Sequence, residues 1–119
     1  MDRKQRGKDA EKIAEKLLAR HGCRLRSRNY HCRFGEIDLI MLQGDILLFV
    51  EVRYRSSQTF GGAAASVSRQ KQQKIIRTAM HYLSQQPQGH TPTCRFDVIA
   101  FEASEAGLHP VWYKDAFQA

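Results

Sequence analysis

Residues 35–55 constrain the fold more than any other stretch. Gly35-Glu36-Ile37-Asp38-Leu39-Ile40 and Leu47-Leu48-Phe49-Val50-Glu51-Val52-Arg53 read as two apolar strands, over 36–42 and 46–54. The turn between them is expected at Gln43-Gly44-Asp45, since a Gly-Asp pair between apolar runs is a hairpin signal. Side chains two apart on a strand face the same way, which would put Glu36 with Asp38 and Glu51 with Arg53. On the second strand Ile46, Leu48, Val50 and Val52 fall on one face and Leu47 and Phe49 on the other. Both faces are apolar, so this strand is expected at the centre of a sheet covered on both sides. Carboxylates inside such strands need a partner, because burying an unpaired charge is costly.

The remaining segments supply the covering layers. Residues 2–21 carry Ala10, Ile13, Ala14, Leu17 and Leu18 at helical spacing, with Gly22 as the stop. Glu11 borders that stripe. Residues 23–30 alternate weakly and hold three arginines, as suits an edge strand. His31 to Gly35 reads as a loop and 56–66 as a small-residue loop. A second helix is expected over 67–86, capped by Ser68, with Ile75, Ile76, Ala79, Met80 and Leu83 as its core stripe. Strands at 93–101 and 108–113 complete a single α/β domain over 1–119, with a mixed sheet flanked by helices.

Composition limits the function classes. No run of about 18 apolar residues exists to span a membrane, and the charged N-terminus leads into no signal-type apolar core. A cytoplasmic protein is therefore expected. Cys23, Cys32 and Cys94 are dispersed without a CxxC pair, which argues against a disulfide framework or a zinc knuckle. The net charge of +7 favours a polyanionic partner. Its distribution is more informative than its size. From Val52 to Phe96 there is no Asp or Glu, yet Arg53, Arg55, Arg69, Lys71, Lys74, Arg77 and Arg95 lie there. Together with Arg28 and Arg33, the residues Arg55, Arg69, Lys71 and Lys74 form the expected nucleic-acid-binding set.

Asp38 and Glu51, on neighbouring strands, can approach within a few ångströms. Two such acids repel unless one is protonated or a cation binds. A hard divalent ion, Mg²⁺ or Mn²⁺, suits oxygen ligands of this kind. Arg53 would point into the same site and could hold a phosphate. A purely structural charge network that fixes the strand pair is the alternative.

Asp38 followed by Glu51-Val52-Arg53 resembles the Asp…Glu-x-Lys core of the PD-(D/E)xK nuclease superfamily. The wider set includes Gly7, Glu11 and Ala14, Gly35-Glu36-Ile37-Asp38-Leu39-Ile40, Phe49-Val50-Glu51-Val52-Arg53, Lys71, and Arg95-Phe96-Asp97-Val98-Ile99. Together they resemble the YraN family of small bacterial proteins, related to Holliday-junction resolvases. The resemblance implies a restriction-endonuclease-like αβββαβ core and metal-dependent cleavage of DNA, branched DNA included, by a homodimer. It implies Asp38 and Glu51 as metal-binding acids with the Val52 carbonyl beside them, and Glu11 as a catalytic helix glutamate. The role of Glu36 stays open. Arg53 stands where the superfamily has a catalytic lysine, and arginine does not give up its proton. Lys71 could replace that lysine. A nucleic-acid-binding module with little or no activity is the alternative function.

Overall fold

The computed structural model of the chain describes residues 3–55, 67–87 and 92–119. The loop expected over 56–66 lies outside them. In chain order the elements are α1 (Arg3–Arg20), β1 (Arg24–Cys32), β2 (Gly35–Gln43), β3 (Ile46–Arg55), α2 (Arg69–Ser84), β4 (Thr93–Ser104) and β5 (Gly107–Phe117). The five strands form one sheet in the order β1-β2-β3-β4-β5. Only β3 and β4 run parallel, and α2 makes the crossover between them. This is the expected αβββαβ order in a mixed sheet, with β5 added at the far edge.

The two apolar faces of β3 separate the core into two layers. Leu47 and Phe49 pack with Ile75, Ala79 and Tyr82 under α2. Leu48 and Val50 pack with Ala10, Ala14 and Leu18 under α1. The small Ala10 and Ala14 let α1 lie close against the sheet. That helix ends in a Schellman arrangement. The Cys23 N–H donates to the Leu18 carbonyl and the Gly22 N–H to the Ala19 carbonyl, with Gly22 at φ +85°. Ser68 caps α2 as expected, accepting from the Lys71 N–H at 3.1 Å.

Several expected boundaries and core positions change. His31 and Cys32 belong to β1, so the expected loop shrinks to the two-residue turn Arg33-Phe34. Gln43 is the last residue of β2, and the next turn is Gly44-Asp45 alone. Strands β4 and β5 both outrun their expected ends, because they pair with each other over nearly their whole length. Ile13 is 45% and Met80 63% exposed, so neither belongs to the core. A helix packed on one side against a sheet buries a narrower stripe than helical periodicity allows. Thr78 and Tyr82 take the buried places on α2 instead.

Gly35 explains why the central motif begins with glycine. Its φ is +153°, and an added Cβ would sit 3.1 Å from Thr78 Oγ1. Thr78 cannot yield easily, since its hydroxyl donates to the Lys74 carbonyl at 2.8 Å. Gly35→Ala is expected to cost about 1–3 kcal/mol in stability, read as a lower urea midpoint with an unchanged m-value.

Candidate active site at the open end of the β2–β3 pair

The site forms where β2 leaves β3. Their ladder runs from Gln43↔Ile46 to Leu39↔Val50 and stops there. Val52, two residues further along β3, donates its N–H to Asp38 Oδ2 at 2.8 Å. A side chain thus replaces the main-chain partner that β2 would otherwise supply. This satisfies a backbone donor that would be costly to leave unpaired. It also holds the Asp38 carboxyl group beside Glu51, to which it is hydrogen-bonded.

Glu51 leans toward α2, where Lys71 Nζ lies 4.0 Å from its Oε1. The Ser68 cap fixes the backbone of Lys71 at this spot. Burial and the adjacent Asp38 carboxylate push the Glu51 carboxyl up to about 8, against the pull of Lys71 and Arg53. Burial also raises Asp38, while the Val52 N–H and the bond from Glu51 act the other way. Burial and mutual repulsion therefore make the pair hold a proton more tightly than free carboxylates would.

Glu11, on α1, feels the charge of Asp38. Burial and the Asp38 charge raise its carboxyl, while a hydrogen bond from the Asn29 side chain lowers it. The simple alternation that groups Glu36 with Asp38 fails at this point. Ile37 packs in the α2 layer and Leu39 in the α1 layer, although they are two apart. Asp38 falls at the inversion between them, while Glu36 is exposed on the rim.

A groove of about 420 Å³ opens next to the acids, lined by His31, Glu36, Lys71 and Lys74. Two of the expected phosphate-binding residues thus flank the site. Arg69 is exposed at the start of α2. Arg33 stacks on Phe34 at the β1–β2 turn, 4.8 Å from the ring centre. Arg28 lies on the α1 side, held by Glu15 through two bonds of 2.7 and 3.0 Å. The side chain of Arg55 lies outside the described residues. Among the described residues, no three His, Cys, Asp or Glu side chains converge to hold a metal ion by themselves. The three cysteines are free.

Two residues important to the structure carry no role in the sequence reading. Asn29 is one, and its left-handed backbone at φ +50° is a signal that asparagine tolerates better than most residues. Asp97 is the other. It is fully buried on β4, and its two oxygens accept four hydrogen bonds. Arg95 supplies two of them, at 2.8 and 2.9 Å. Trp112 Nε1 supplies a third at 2.8 Å and the Asp115 N–H a fourth at 3.0 Å. This cluster ties β5 to β4 and includes none of the acids described above.

Comparison with known proteins places these residues in a family context. Residues 10–101 match the family described as "Uncharacterised protein family UPF0102". A UPF0102 protein of Methylobacillus flagellatus is 53% identical, covering 98% of this chain and 99% of its own length. One from Alcanivorax borkumensis is 46% identical, covering 97% of this chain and 93% of its own. Among solved structures, Pyrococcus furiosus SfsA in complex with Ca²⁺ is similar at a TM-score of 0.33 and 14% identity. That match covers 95% of this chain and 64% of the SfsA chain.

Proposed function

Because this chain belongs to the UPF0102 family, the YraN family of the restriction-endonuclease-like superfamily, we propose that it is a metal-dependent endonuclease of the cytoplasm. Its substrate is DNA, branched or junction forms included. The proton-sharing Asp38–Glu51 pair carries this reading. A buried and a half-buried carboxylate held together at the cost of a raised Glu51 form a place where a cation is worth more than a proton. The donor set is all oxygen, which fits Mg²⁺ or Mn²⁺ rather than a softer metal. Asp38, Glu51 and the carbonyl of Val52, beyond the last β2 pair, would hold the ion, with water completing its shell. When bound, such an ion supplies an activated water and neutralises charge developing on a phosphate.

The chain's own groups do the rest. Lys71 approaches Glu51 from α2 and, with Lys74, offers charge to a phosphate chain in the groove. Arg53 shares the Glu51 face, and a guanidinium there can clamp a phosphate but does not serve as a base toward water. Glu11 reaches the acid pair from the opposite layer and can accept a hydrogen bond from water there. A homodimer would present one acid pair to each of two strands in a symmetrical junction.

Arg53 also favours a second reading, a DNA-binding module whose chemistry is slow or lost. One assay separates the two: cleavage of labelled linear, flap and four-way-junction DNA with Mg²⁺ or Mn²⁺, run beside Glu51→Ala. The wild type is expected to cut, and Glu51→Ala to lose at least about a hundredfold of that rate. Equal cutting by both proteins would remove Glu51 from the site. Salt-sensitive binding without cutting would establish the second reading.

A further inference from the structure

The acid pair depends on an inversion in the β1–β2 hairpin, and one residue stands at its centre. Arg28 reaches across the α1 layer to Glu15, whereas Tyr30, two residues on, packs in the α2 layer and bonds His81. Across the hairpin, Leu39 and Ile37 divide in the same way. Arg28 pairs with Leu39 and Tyr30 with Ile37, so Asn29 lies between the two pairs, opposite Asp38. A regular strand cannot place residues two apart on opposite faces. Asn29 does so by adopting φ +50°, where a Cβ-bearing residue is normally strained.

From this placement we infer that Asn29 is a positioning residue: its left-handed backbone inverts the hairpin and turns the Asp38 carboxyl into the open end of the β2–β3 ladder. Its side chain also lines one pocket with Glu11 and Glu15 of α1. Without the kink, β2 would continue its regular alternation. Asp38 would then leave the Val52 N–H, and the acid pair would separate. The inference deepens the proposed function and rests on it for its consequence, but its structural core does not need a metal.

The test is therefore a metal-free one first. Hydrogen exchange of the Val52 amide, followed by NMR in the absence of divalent ions, reports the bond to Asp38 directly. Asn29→Ala disfavours the left-handed backbone and is expected to speed that exchange at least tenfold. Asn29→Gly permits the same backbone without the amide and is expected to stay within threefold of wild type. A general loss of packing would not be rescued by glycine. Mn²⁺ titration of the same proteins is expected to follow the same order, with affinity lost in Asn29→Ala and kept in Asn29→Gly. Unchanged Val52 exchange in Asn29→Ala would overturn the inference. So would fast exchange in Asn29→Gly, which decides the matter even if the alanine variant does not fold. Failure of the wild type to bind Mn²⁺ would strike the metal reading alone, since Val52 exchange still decides the role of Asn29.

Discussion

Asp97→Ala will lose about 3–5 kcal/mol of stability. A domain of this size has roughly 5–15 kcal/mol in total. The loss comes from what the carboxylate leaves behind. Arg95 keeps a guanidinium that is only 21% exposed and has no other acid bonded to it among the described contacts. Trp112 Nε1 and the Asp115 N–H lose their acceptor as well. A half-buried guanidinium left unpaired, together with two orphaned donors, is costlier than a missing contact. The register of β4 with β5 also shifts between Phe96 and Val98, around Asp97 itself. Asp115 sits at φ +53°, and its bond to Asp97 holds that turn of the backbone in place. Chemical denaturation should show the midpoint falling sharply. A midpoint within about 1 kcal/mol of wild type would mean that the cluster is solvated and contributes little.

A second large effect concerns pH. In the folded chain Glu51 keeps its proton to about 8, whereas in an unfolded chain it loses it near 4.5. Between these values the folded state binds the extra proton, so metal-free stability falls as pH rises through the window. Burial raises Asp38 and Glu11 too, which adds in the same direction. The expected fall between pH 5 and 8 is on the order of 2–4 kcal/mol. Glu51→Gln removes the titrating group while keeping a hydrogen-bond donor for Asp38. It should match wild type near pH 5 and be clearly more stable at pH 8, in thermal melts with a chelator present. A stabilising substitution at a functional residue is the expected signature of a strained site. Parallel melting curves for the two proteins across this range would show that Glu51 ionises freely.

Much of this architecture was legible because it rests on local patterns. The double apolar face of β3 foretold a central strand, and it stands third of five. Gly22 and Ser68 marked helix ends through capping chemistry that needs only neighbouring residues. The spacing of Asp38 and Glu51 placed them across one hairpin, where they meet.

Other features depend on distant partners. Asp97 reads as one polar residue in an apolar strand, and its meaning depends on Trp112 and Asp115 on the neighbouring edge strand β5. The length of β5 was hidden because its exposed face carries ordinary polar residues. Ile13 and Met80 satisfied helical periodicity but lie outside the contact stripe, which only the sheet defines. Asn29 broke strand alternation, the assumption on which the faces were assigned. The inversion therefore sets the facing of Asp38, and with it the bond from the Val52 N–H, in a way that alternation alone does not show.

The most direct measurement of the central claim is calorimetric titration of the wild type with Mn²⁺ at pH 7, in two buffers of different ionisation enthalpy. Beside it, Asp38→Ala is titrated in the same way. The proton-sharing pair predicts saturable heat for wild type, with close to one proton released per bound ion, and no saturable heat for Asp38→Ala. Absence of binding in wild type, or equal binding in both proteins, would contradict a metal centre at Asp38 and Glu51.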